Sequence, residues 1–161
     1  MATFQRLLVN LEIIADDLDM LDAKCYFSDR HLTLLEAYRT ALDTLNKAAV
    51  AQTEASCSAY FQHSSLASVY VTKQMLSVHV KLISYVLSYW EANEKVSDII
   101  NDDFDPRADK RLALLQVRAI RAKAQLKTVA SAMGRDDYER FTHVLKLSGK
   151  DWQWDTLRAR F

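Results

Sequence analysis

Apolar residues recur at spacings of three and four along most of the chain, which is the pattern of helices with one buried face. Phe4, Leu8, Leu11, Ala15, Leu18 and Cys25 form the first such series, widened by Leu7, Ile14 and Leu21. It predicts a helix capped by Thr3 and running to about Tyr26. Phe27-Ser28-Asp29-Arg30 breaks the pattern, and Ser28 or Asp29 is placed to cap a second helix from about Arg30. Leu34, Tyr38, Ala41, Leu45 and Ala48 form its face, with Leu35, Leu42 and Ala49 beside them. Its end is not marked, because neither Gln52 to Ser58 nor His63 to Ser65 contains glycine or proline.

The most regular series is Leu66, Val69, Lys73, Leu76, Val80, Ile83, Leu87 and Trp90, in which Lys73 is the polar exception. Val71, Val78 and Tyr85 supply a second face and Met75, Leu82 and Tyr89 a third, as expected of a central buried helix. Asp105 as cap and Pro106 at the first helical position start a fourth helix, which Gly134 closes after Met133 in a left-handed conformation. This helix carries two seams. One is Leu112, Leu115, Ala119, Ala122, Leu126, Val129 and Met133; the other, around the wheel, is Ala113, Val117, Ile120 and Ala124. The second is the candidate seam for self-association. A short helix from Asp136 to Leu147, closed by Gly149, and a tail over 150–161 complete the pattern.

Gly134, Gly149 and Pro106 are the only glycines and proline in 161 residues. Strand-rich and turn-rich folds need more residues of these types, so the expectation is all-α. The architecture predicted is one helical domain over residues 1–161. It is an antiparallel, left-handed bundle of about four long helices with one or two short C-terminal ones. A faint echo relates 22–42 to 54–74: Cys25, His31, Leu34 and Tyr38 reappear 32 residues later as Cys57, His63, Leu66 and Tyr70. No motif carries a resemblance to a family.

With 50% apolar and 26% charged residues, the composition is that of a globular protein. The densest apolar stretch, Val78 to Trp90, falls short of the roughly 20 residues that span a bilayer. Two cysteines, no N-x-S/T site and no charged-then-apolar leader pattern lead to the expectation of a reducing, cytoplasmic setting.

Zero net charge conceals a segregation: residues 1–105 carry 8 Lys/Arg against 15 Asp/Glu, and residues 106–161 carry 13 against 6. Arg107, Lys110, Arg111, Arg118 and Arg121 fall within an arc of roughly 100° on the fourth helix. Glu12, Asp16, Asp19 and Asp22 make an acidic stripe on the first. The two stripes are expected to pair within the fold or between subunits. The alternative is an anionic partner, nucleic acid ahead of a membrane surface, although no aromatic platform accompanies the basic residues.

Trp154, Leu157 and Phe161 have the spacing of a helix that docks in an apolar groove. With Trp152 they are the candidate partner-binding anchors, or else a cap on the chain's own bundle. Chemistry finds less support. Cys25, His31, Cys57 and His63 are zinc-ligand types, but residues six apart on a helix point about 240° apart, so no metal is expected. Asn101, Asp103 and Asp105 begin like a calcium loop, which Pro106 and Leu112 then spoil. Glu139 and His143 stand alone one turn apart, and no phosphate loop, nucleophile elbow or dinucleotide fingerprint is present. The function expected from sequence is therefore a non-enzymatic helical protein-protein interaction or assembly module without a cofactor, partnered by protein and by itself as a homo-oligomer.

Overall fold

A computed structural model describes residues 2–70, 72–101, 107–147 and 152–154. Among them the chain is all-α: α1 (Ala2–Asp19), α2 (Asp29–Ala49), α3 (Glu54–Gln62), α4 (Lys73–Asn101), α5 (Ala108–Met133) and α6 (Arg135–Val144), with a 3-10 turn at Ala23–Cys25. α2 packs against both α1 and α4, and α4 packs along α5. The long helices thus form a row in the order α1, α2, α4, α5, and α6 touches both α1 and α5.

The first helix stops seven residues short of the expected Tyr26. Asp22 adopts an extended conformation and accepts from the Lys24 N–H at 3.2 Å, offering the backbone a turn in place of another helical bond. Ser28 then caps α2 as expected, its hydroxyl accepting from the His31 N–H. Between these, Phe27 has φ +63°, an uncommon conformation for a residue with a side chain. Its N–H donates to His31 Nδ1 at 2.9 Å, and its ring lies 5.4 Å from Trp90 on α4, so local bonding and packing hold it there.

The long regular series also departs from expectation. Leu66 and Val69 are buried, yet residues 63–70 form turns rather than helix, and α4 begins at Lys73. A separate short helix, α3, capped by Thr53, precedes them. The Ser64 hydroxyl accepts from the Leu66 N–H at 3.0 Å, replacing the helical ladder. Lys73 is therefore not a seam residue. It reaches back from the first turn of α4, its Nζ donating to the Gln52 carbonyl at 2.7 Å and its N–H to Glu54 Oε1 at 3.1 Å.

Gly134 ends α5 and begins α6 at once, with φ +85° and ψ 162°, a region that only glycine enters readily. A β-carbon there would meet nothing within 4 Å, so the requirement is conformational. α6 ends at Val144, earlier than the expected Leu147. Lys146 is left-handed at φ +58°, the Leu147 N–H donates to the Thr142 carbonyl, and the Lys146 N–H donates to the His143 carbonyl. This is a Schellman closure with lysine where glycine is usual. Gly149, Asp105 and Pro106, expected at helix ends, lie outside the described residues, and Arg107 precedes α5 without a side-chain cap.

The core is aromatic and contains a small polar cluster. Tyr38 and Tyr70, partners in the 32-residue echo, meet hydroxyl to hydroxyl at 2.7 Å. Tyr38 is helical and Tyr70 is not, so the echo is not a repeated structural unit. Burial raises the pKa of both phenols. His79 lies beside Tyr70 and stacks on Phe141 of α6 with ring centroids 3.7 Å apart. Its Nδ1 is buried without a partner, and desolvation lowers its pKa from 6.5 to about 3.

A histidine buried in the neutral form binds its proton in the unfolded chain first. Its stabilising contribution is complete above pH 6.5 and is lost as pH falls from there toward 3. Replacing His79 by Phe keeps the stack and removes a buried unpaired nitrogen, a change expected to be neutral or stabilising by about 1 kcal/mol at pH 7. Urea unfolding at pH 7 and pH 4.5 should show a smaller loss of stability for the variant than for the wild type.

Candidate functional site

The outer side of α5 brings together the largest group of residues singled out in the sequence. Of its first seam, Ala119, Ala122 and Leu126 are buried against the rest of the protein, joined by Ala130, while Leu112, Leu115, Val129 and Met133 are half-buried. At about 100° per residue, Ala113, Val117, Ile120 and Ala124 centre on the opposite side of the helix. All four are exposed, Val117 at 53% and Ile120 at 71%. Among the described residues nothing covers this seam.

Arg107, Lys110, Arg111, Arg118 and Arg121 are exposed as well. Lys110, Arg118 and Arg121 run along one flank of the apolar seam by the same geometry. Arg118 acts on α4: the Glu91 carboxyl is held below its usual range first by the hydrogen bond from Lys95 and further by the charges of Arg118 and Arg39. On the inner side, the Lys123 ammonium stands 5.6 Å from the Tyr89 ring centroid, a cation–π contact that ties α5 to α4.

The acidic stripe does not lie alongside this helix. α1 has α2 and α6 as its main neighbours, and α5 has α4 and α6. The acidic helix does meet the basic half at the end of α6, where Lys146 Nζ stands 3.0 Å from Asp19 Oδ1.

The tail tryptophans are placed differently from the expected anchors. Trp152 and Trp154 are buried in the chain's own core, Trp152 edge-on to Tyr89 and Trp154 against Tyr138. The Tyr138 hydroxyl donates to the Trp152 carbonyl at 2.9 Å, fixing the segment on α6. These two rings pack on the protein itself and, nearly covered, help line a surface cleft. Leu157 and Phe161, the other two expected anchors, lie outside the described residues.

The echo's ligand types do not converge. Among the described residues no three His, Cys, Asp or Glu side chains group as a metal site requires. His31 instead spends both nitrogens on the fold, Nδ1 accepting from the Phe27 N–H and Nε2 donating to the Leu145 carbonyl at 2.7 Å. His63 is exposed at the end of α3. Cys57 is buried with its thiol pKa raised by desolvation, the opposite of an activated nucleophile. Of the calcium-loop residues, Asp103 and Asp105 lie outside the described residues.

One surface cleft, of about 460 Å³, separates α6 from the segment carrying the tryptophans and is bordered by Tyr26, Arg135, Glu139, His143 and Lys146. Two of its charges are engaged: Arg135 Nε donates to Glu139 Oε1 at 3.1 Å, and Lys146 is the partner of Asp19. Glu139 thus pairs with Arg135 one turn earlier, as expected of a surface contact.

One group went unread in the sequence. Val9 and Ile13 are exposed on α1, on the side away from Phe4, Leu8, Leu11, Ala15 and Leu18, and Met20 is exposed in the turn just past its end. Their spacing of four and seven was available, but the acids interleaved with them dominate that helix.

No protein-family model matches the chain, and neither do curated proteins or solved structures. No helix among the described residues is long and apolar enough to cross a membrane.

The contrast between the two groups of expected anchors is measurable. Trp152→Ala, which empties a buried site, should cost about 3–4 kcal/mol in chemical unfolding. Val117→Ser, on the open side of α5, should change stability by no more than about 0.5 kcal/mol.

Proposed function

We propose that the chain is a non-enzymatic helical assembly module that works by self-association, with the outer face of α5 as its contact surface. The observation that carries this reading is the exposure of Val117 and Ile120 directly opposite the buried face of the same helix. Single exposed apolar residues are ordinary, but an aligned set along one helix is what a partner covers. Ala113 and Ala124 in that set leave room for a second backbone to approach. The described surface also exposes Val9, Ile13 and Met20 near the N-terminus, together with Val50, Ile100 and Leu114.

A nucleic-acid-binding module is the second reading, favoured by the exposed flank of Lys110, Arg118 and Arg121. It requires phosphate contacts that salt weakens.

The two readings separate in solution. Light scattering of the purified, nucleic-acid-free protein from low to high micromolar should show mass rising with concentration, and Val117→Gln with Ile120→Gln should abolish the rise without lowering the melting temperature. If wild type stays monomeric and instead binds an oligonucleotide, replacing Arg118 and Arg121 by Ala should flatten the log–log salt slope by about 2.

A further inference from the structure

We infer that the surface received by the outer face of α5 is the outer face of α1 on a second copy, so that copies join head to tail. This rests on the self-association reading above and names its partner surface. Three observations converge on it.

The first is position. α1 and α5 are the two ends of the row of long helices, and although α6 touches both, each keeps an exposed side. The second is apolar match. α1 exposes Val9 and Ile13, the latter at 54%, on the side opposite its buried face, as α5 exposes Val117 and Ile120, and Met20, at 83%, follows in the turn just past the end of α1. Each end of the row thus carries an apolar stripe of its own.

The third is charge. At about 100° per residue, Glu12, Asp16 and Asp19 lie on one flank of the α1 stripe, with Asp17 and Arg6 on the other. Lys110, Arg118 and Arg121 lie on one flank of the α5 stripe, with Asp109 and Lys127 on the other, and the flank of three has the opposite sense around the helix. Two parallel helices packed face to face bring opposite flanks together. With α1 and α5 parallel, the acidic flank of one therefore meets the basic flank of the other. An antiparallel pairing of α5 with α5 brings like flanks together, basic against basic, and α1 with α1 sets acid against acid. Exposed ion pairs add little affinity singly, but their signs select the partner and suppress the wrong one.

A contact between two different surfaces is heterologous, and each added copy leaves one end of each kind free. The product is a closed ring or an open series rather than a dimer.

The test uses two variants of the full chain, each altered only at exposed positions. One carries Val9→Gln and Ile13→Gln, the other Val117→Gln and Ile120→Gln; circular dichroism melting verifies that both remain folded. Analytical ultracentrifugation should show wild type growing beyond a dimer with concentration, and less so in high salt. Each variant alone should be monomeric, and their equimolar mixture should form a 1:1 dimer and stop there, because each supplies the face the other lacks. If the α1 variant alone still dimerises while the α5 variant does not, the contact is α5 with α5, and head-to-tail joining is overturned while self-association stands. A mixture that stays monomeric overturns the head-to-tail contact. A wild type that is monomeric at every concentration overturns both.

Discussion

His31 closes the molecule. It sits in the first turn of α2 and is fully buried, with one nitrogen on the backbone of the preceding loop and the other on the carbonyl at the end of α6, 114 residues away. Each bond satisfies a group that helix geometry leaves without a partner: an N–H ahead of α2 and a carbonyl just past α6. Trp90 of α4 meets the imidazole edge-on at 5.4 Å, so three helices converge on one ring. Because Nδ1 accepts, the proton resides on Nε2, and burial keeps the ring's pKa below its ordinary value. The left-handed Phe27 and the left-handed Lys146 stand on either side of this junction, two strained residues held by the contacts they make possible.

Around that junction the chain divides its apolar surface unevenly. The inner helices α2 and α4 are covered on two sides, whereas α1 and α5 each retain a stripe that no part of the described chain reaches. The charge segregation along the sequence acquires a spatial meaning from the same fact, since the acidic and basic helices are the two ends of the row and not neighbours across a core.

Much of this was legible in the sequence. The scarcity of glycine and proline pointed to helices, Ser28 marked the start of α2, and Gly134 marked the break between α5 and α6. Periodicity reported burial more faithfully than it reported helix. Leu66 and Val69 fit the α4 series without a gap and are buried, yet they lie in turns, because a serine hydroxyl can replace a helical bond without moving an apolar side chain out of the core. The second seam of α5 was readable as a stripe, but whether a neighbour covers it depends on helix order, which spacing does not encode. His31 was marked only as a member of the echo, and its structural role was not, since a histidine in the first turn of a helix has the same sequence context whether it is exposed or buried. Tyr38 and Tyr70 did leave one, as an echo that proved to be a contact.

The join between His31 and Leu145 also orders events in time. Contacts within α1 and α2 close over a few residues, but this bond has to bring together groups separated by most of the chain, and the entropy of closing so long a loop is met before the bond returns anything. During synthesis the α2 end of the junction emerges early and waits, its histidine and its left-handed phenylalanine unsupported, until α6 and the two tryptophans behind it arrive. Until α6 is made, His31 lacks the Leu145 carbonyl that closes the junction, and the core lacks the side that α6 supplies.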